Sequence, residues 1–237
     1  MKKYFVLLCV LIFCSCSLQR KYQQHNDYFE NEIQKLEHKI ATDLQDDYLL
    51  FIGSSTIRLW DSITKDMKPY NCVRKGYGGA HYYDLIHFVD RLVKGHKDAT
   101  AVLIFVANDI TGIQTKTHID LTPLEVKRLF VNISRRIKKQ LGNEVPIFVI
   151  ETTPTPKRWE AWPKISEAND RIQAYTEKKD KLYYISTRDF YTNDLGVPNK
   201  EFFTEDNLHL NRKGYLLWGE IIKNELLKTT IQSQKSK

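Results

Sequence analysis

The sequence predicts an α/β fold: a three-layer α/β/α sandwich around a central parallel sheet of about five strands. Three observations predict it. Short apolar runs alternate with helix-length amphipathic stretches, the pattern of strands joined by helical crossovers. One run, Thr100 to Val106, is continuously apolar and rich in β-branched residues, as in a strand covered on both faces. The pairs Ser54-Ser55, Gly78-Gly79 and Asn108-Asp109 follow strand candidates, at the carboxyl ends where such sheets place their ligand sites.

The 237 residues suit one domain preceded by a leader. Met1-Lys2-Lys3 is a basic start, Tyr4 to Phe13 is apolar, and Ser15-Cys16-Ser17 supplies small residues. The apolar run is too short to span a bilayer. Ser15 before Cys16 resembles a bacterial lipobox, cut before a cysteine that then carries lipid, although Phe13 stands where that pattern usually has Leu. The expected division is residues 1–15 as signal peptide, with Cys16 the lipidation candidate. Residues 16–46 follow as tether and N-terminal helix, 47–230 as the main domain, and 231–237 as a polar tail. The protein is then expected to be exported and anchored to a bacterial membrane, facing the periplasm or the cell surface.

Along the body, Phe29, Ile33, Leu36, Ile40 and Leu44 recur at helical spacing and predict a helix packed on the domain. Tyr48 to Ile52 is the first strand, stopped at Gly53, and Thr56 to Trp60 starts a short helix. Arg58 and Trp60 are expected to pair and pack there. Pro69 to Val73 is the second strand candidate, followed by Gly76-Tyr77-Gly78-Gly79 and a helix from His81 to Val93. Ala80 stands where a Ser or Asp is common, so that helix is expected to lack one cap. After the third strand, Thr122-Pro123-Leu124-Glu125 is a capping box with Pro at the first helical position, and Gly142 ends that helix. Val145 to Ile150 and Leu182 to Ser186 are the remaining strands, separated by a helix marked by Ile165, Ala168, Ile172 and Tyr175. Asn211 caps a last helix carrying Tyr215, Trp218, Ile222 and Leu226.

Several chemistries are excluded or left without support. Cys72 is the lone cysteine outside the leader, so the mature domain has no internal disulfide and no cysteine metal site. The histidines show no paired metal spacing, and His81, His87, His96 and His118 default to structural or surface roles. The glycines at 76–79 lack the third glycine of a dinucleotide fingerprint. No metal and no cofactor is implied. The formal charge is +7, but its cations are scattered; the run Arg135 to Lys139 lies on a helix and reads as a solvated face, not a nucleic-acid site.

A serine at a strand-to-helix turn can present its hydroxyl while its backbone N–H faces an acyl oxygen. Ser54 and Ser55 occupy such a turn, where a serine also serves as an ordinary helix cap. Near the C-terminus, Asp206 and His209 lie three apart, close enough for the carboxylate to fix the imidazole tautomer. Serine, aspartate and histidine in that order provide nucleophile, orienting group and base.

These blocks resemble the SGNH (GDSL) hydrolase family over nearly the whole body, from about Tyr48 to Trp218. Gly53-Ser54-Ser55 is similar to the first block Gly-Asp-Ser in the form of a bacterial subgroup with Gly-Ser-Ser. Gly76-Tyr77-Gly78-Gly79, Val106-Ala107-Asn108-Asp109 and Asp206-Asn207-Leu208-His209 resemble the others, and Pro154 to Trp159 resembles a segment of that subgroup. The resemblance implies a flavodoxin-like sheet and an esterase triad of Ser55, Asp206 and His209. It implies an oxyanion hole from the Ser55 N–H, the Gly79 N–H and the Asn108 amide; Asp109 itself reads as a structural hydrogen-bonding residue and not a catalytic one. Val106 stands where the third block usually has Gly and is expected to crowd the backbone near Asn108. Arg158 and Trp159 are candidate substrate-lining residues. The implied substrates are short-chain acyl or acetyl esters of small molecules, glycans or lipids. An O-acyltransferase on the same triad, or a catalytically silent lipid-anchored binding protein, is the alternative.

Overall fold

The computed structural model describes residues 23–38, 47–113 and 119–235. The expected leader, Cys16, most of the tether, Ile40, Leu44 and His118 lie outside the described residues. Five strands form one parallel sheet: β1 (Tyr48–Gly53), β2 (Asn71–Gly76), β3 (Ala99–Phe105), β4 (Ile147–Ile150) and β5 (Leu182–Ile185). Their order is β2-β1-β3-β4-β5, so the chain reverses direction across the sheet after β2. Such a reversal opens a crevice beside the carboxyl ends of β1 and β3.

The residue alternation of the strands sorts the core into two layers. Leu50, Ile52, Val102, Ile104, Ile147 and Val149 face a layer built by α1 (Gln23–His38), α4 (Tyr82–Val93), α5 (Pro123–Leu141) and α6 (Trp162–Thr176). Leu49, Phe51, Leu103, Phe105, Phe148 and Ile150 face the other. That layer contains α2 (Ser55–Arg58), α3 (Ile63–Asp66), α7 (Arg188–Tyr191) and α8 (Arg212–Lys235). The apolar run of β3 is buried on both faces, as its composition requires.

Local signals set several boundaries. Thr122 accepts from the Glu125 N–H and Glu125 accepts from the Thr122 N–H, so α5 starts at the expected capping box and ends at Gly142. The N-terminal helix docks as its stripe predicts: Phe29 and Ile33 are buried, and Arg91 of α4 bonds both Glu30 and Glu37. Among the described residues, no helix is long and apolar enough to cross a membrane.

Other boundaries differ from expectation. β2 runs over Asn71–Gly76, not Pro69–Val73. Pro69 has no N–H to give a ladder, and the Tyr70 N–H is held by the Met67 carbonyl in a turn. At the other end, Lys75 hides the strand from a hydropathy reading, yet it is 1% exposed, and burial pulls its amine down to about 8. The expected gap at Ala80 is filled from inside α4, because the Asp84 carboxylate accepts from the His81 N–H at 3.0 Å. Helix α8 continues to Lys235, past the expected boundary at residue 230, since no Gly or Pro follows Gly219 to stop it.

Asp66 pins α8 to α3. It accepts from Trp60 Nε1 at 2.8 Å, Ser62 Oγ at 2.6 Å, and Arg212 at 2.5 and 2.6 Å. Burial opposes its charge, but the donors of Arg212, Ser62 and Trp60 outweigh burial and hold the carboxyl at about 2. The folded value lies below the roughly 3.9 of an unfolded chain, so this contribution is complete above about pH 4 and is lost as pH falls toward 2. Asp66→Asn is therefore expected to flatten the acid limb of a plot of denaturation midpoint against pH. An acid limb unchanged by the substitution contradicts that assignment.

Candidate active site

Gly53 ends β1 at φ 136°, and the position its side chain would take lies 1.9 Å from the Phe105 carbonyl oxygen. Only glycine fits there. The chain can therefore bend against the end of β3, where the Ser54 N–H donates to that same oxygen at 2.9 Å. Helix α2 begins at once, and Ser55, as its first residue, has no intrahelical acceptor for its N–H. Ser54 stands at the cap position, yet its Oγ is buried and has no hydrogen-bond partner among the described residues. The Ser54 side chain therefore does not cap the helix.

Ser55 Oγ lies 2.9 Å from His209 Nε2, and His209 Nδ1 lies 2.6 Å from Asp206 Oδ2. An ionised carboxylate only accepts, so Nδ1 carries the imidazole proton and Nε2 is left to accept from the serine hydroxyl. The loop is locked by its own bonds. Asp206 Oδ1 accepts from Thr204 Oγ1 at 2.7 Å and from the Leu208 and His209 N–H groups, each at 2.9 Å. Partial burial works against its charge, but these donors outweigh burial and hold the carboxyl well below the usual carboxylate range. Asp206 stays ionised throughout the pH range of ordinary catalysis.

Gly79 sits in a turn at φ 77°, with Phe29 of α1 3.9 Å from where its side chain would be. Phe29 also packs edge-on against Tyr77 at 5.1 Å. Beneath the turn, Tyr77 donates its hydroxyl to Asp84, and Asp109 accepts twice from the Tyr82 N–H at 2.9 and 3.1 Å. Burial, reinforced by the nearby Asp84 charge, pushes the Asp109 carboxyl well above its usual range. Two buried acids and an N-terminal aromatic thus hold one glycine turn.

Asn108 leaves the end of β3 and donates one amide hydrogen to the Ala80 carbonyl at 2.8 Å, which ties it to the Gly79 turn. A primary amide has a second hydrogen, and that one remains for a ligand. Val106 does not crowd this neighbourhood; it is 2% exposed in the core layer of α4 and α5, and its carbonyl accepts from Thr152 Oγ1 at 2.9 Å.

Ser55, Asn108 and His209 line one cleft. Its walls mix Phe105, Phe203, Leu208 and Leu210 with Thr153, Thr155 and Arg158. Arg158 reaches it from the 3₁₀ segment Pro156–Ala161. Trp159 does not line this cleft but stacks on Trp162, the rings 6.1 Å apart and 17° from parallel. Leu208 and Thr155 fall inside blocks already singled out, whereas Thr153, Phe203 and Leu210 lie in no motif and no sequence signal identifies them. Among the described residues, no group of three or more His, Cys, Asp or Glu side chains is arranged to hold a metal ion.

No protein-family model matches the chain, and no curated protein matches it. Its fold, however, is that of solved GDSL-type hydrolases. A Streptococcus pneumonia protein provisionally described as a platelet activating factor is similar at TM-score 0.71 and 19% identity, over 89% of this chain and 98% of that one. A GDSL-like lipase from Bacteroides thetaiotaomicron is similar at TM-score 0.62 and 17% identity, over 86% and 98%. A carbohydrate esterase family 3 protein from Talaromyces cellulolyticus is similar at TM-score 0.57 and 16% identity, over 77% and 97%. At these identities the likeness establishes the architecture, and the chemistry rests on this chain's own residues.

Proposed function

We propose that the protein is a serine esterase that removes short acyl groups, acetyl foremost, from hydroxyl groups of polar molecules such as glycans. The observation that carries this reading is the continuous hydrogen-bonded chain from Ser55 through His209 to Asp206 at the wall of a cleft. His209 takes the Ser55 proton as Oγ attacks the ester carbonyl, and the negative charge moves to the carbonyl oxygen. The Ser55 N–H, the Gly79 N–H and the free hydrogen of the Asn108 amide receive that oxyanion. His209 then protonates the departing alcohol, and water, activated by the same imidazole, releases the acid. Asp206 keeps the imidazole in its working tautomer and offsets its charge in both steps.

The cleft lining supports a small acyl group and a polar partner. A long alkyl chain there would run along a wall that carries Arg158 and the threonines Thr152, Thr153 and Thr155, a poor match for hydrocarbon. The likeness to a carbohydrate esterase fits a sugar-borne ester. A leader with Cys16 as lipid acceptor fits an enzyme acting outside the cytoplasm at a membrane surface. With p-nitrophenyl esters, kcat/KM is expected to be at least about tenfold higher for acetate or butyrate than for palmitate. A preference for palmitate contradicts the short-chain reading.

A further inference from the structure

We propose that Arg158 is a positioning residue of the oxyanion hole, acting through Asn108 by fixing which end of its carboxamide faces the ester. The inference rests on the esterase reading and names a part of its machinery that the triad and the three oxyanion donors do not include.

Arg158 donates to Asn108 Oδ1 at 2.7 Å and, through its other terminal nitrogen, to the Ala107 carbonyl. A guanidinium has donors only, so the atom it faces must be an acceptor. If the Asn108 carboxamide turned over, its NH2 group would meet the guanidinium, donor against donor, and the Ala80 carbonyl would face the amide oxygen. Arg158 and Ala80 thus select one orientation from its two sides, with the nitrogen toward Ala80 and its second hydrogen free. The oxyanion needs that hydrogen in place before the reaction, since a donor already oriented costs no reorganisation at the moment charge develops.

Charge adds to orientation. Among the described residues Arg158 makes no ion pair; burial pulls its pKa down to about 10, and the Asp120 and Asp109 carboxylates act on it only through space. The residue is still a cation at neutral pH. A cation bonded to an amide oxygen draws electron density from the nitrogen and makes its N–H a stronger donor. The same segment also reaches the other half of the site, because the neighbouring Lys157 N–H donates to the Asn207 carbonyl at 3.0 Å, inside the Asp206–His209 loop. At Arg158 the backbone leaves helical geometry, with φ −114° and ψ 19°. One short segment therefore grips the oxyanion side and the base side of the cleft together.

The test is a double-mutant cycle on p-nitrophenyl acetate hydrolysis with wild type, Arg158→Met, Asn108→Ala and both together. Losing an oxyanion donor outright costs about 10²–10³ in kcat, and losing its orientation is expected to cost less, about 10–100-fold, with KM changed less than about twofold. In the Asn108→Ala background, Arg158→Met is expected to cost less than about threefold more, because there is no carboxamide left to position. Arg158→Lys is expected to recover part of the loss. Losses that multiply, or a raised KM at unchanged kcat, overturn the proposal.

A second measurement does not depend on turnover. The side-chain amide resonances of Asn108, assigned by their disappearance in Asn108→Ala, are expected to shift and broaden in folded Arg158→Met. An unmoved pair overturns the proposal. If the wild-type protein hydrolyses no ester, the esterase reading fails, and these resonances alone decide whether Arg158 holds Asn108.

Discussion

Ser55→Ala is expected to lower kcat for ester hydrolysis by about 10⁴-fold or more while leaving the denaturation midpoint unchanged. Ser55 is half-buried at the first position of α2, and its Oγ bonds His209 without supporting any packing. Alanine is at least as good a helix former, so removing the hydroxyl takes away the nucleophile and little else. The activity that survives is what the oxyanion donors and substrate binding supply alone. Steady-state kinetics beside a thermal or chemical melt separates the two effects. A Ser55→Ala protein with activity within tenfold of wild type removes Ser55 from the mechanism. A protein that loses activity only by unfolding leaves the hydroxyl a structural role.

Gly53→Ala is expected to have the largest effect on stability. A methyl group at this position would sit 1.9 Å from the Phe105 carbonyl oxygen, and the backbone at φ 136° suits no L side chain. Relief requires β1 and β3 to separate where the Ser54 N–H meets that oxygen. The neighbour in question is backbone, which cannot swing away as a flexible side chain does. Backbone strain and overpacking together amount to roughly 3–5 kcal/mol, a large part of the 5–15 kcal/mol that holds a typical domain together. The same displacement moves Ser55 away from His209, so activity is expected to fall in whatever fraction remains folded. Denaturant titration measures the first effect; a loss under about 1 kcal/mol contradicts the role given to Gly53.

Much of the architecture was legible because it depends on local rules. The run at Thr100 to Val106 could hardly be anything but a doubly covered strand, and the box at Thr122 and Glu125 fixes the start of α5 by its own hydrogen bonds. The stripe at Phe29 and Ile33 announces a docked helix. What it cannot announce is that Phe29 ends behind Gly79, because that contact joins segments fifty residues apart in sequence. The end of β2 is hidden from a hydropathy pattern because Lys75, a residue type usually found at the surface, is buried here by contacts that come from elsewhere in the chain. At Ala80 the missing cap is replaced locally, because the Asp84 carboxylate in the first turn of the helix accepts from the His81 N–H.

The site divides along the same line. Ser55, Asp206, His209, Gly79 and Asn108 sit in short blocks whose residue types carry the chemistry, and the fold brings them to the carboxyl end of one sheet. Arg158 was visible as a charged residue after the fourth strand, but its bonds to Asn108 and Ala107 depend on how the segment at Pro156 folds back over β3. The hydroxyls of Ser54 and Thr155, unpaired among the described residues, have no signal in the sequence, since an absent partner leaves none.

The most direct test of the central claim is to treat the purified protein with a fluorophosphonate and locate the adduct by peptide mass spectrometry. A serine activated by His209 and Asp206 is expected to be labelled at Ser55 and not at the adjacent Ser54, with labelling lost in His209→Ala. An adduct on Ser54, or no adduct on folded protein, contradicts a Ser55 nucleophile.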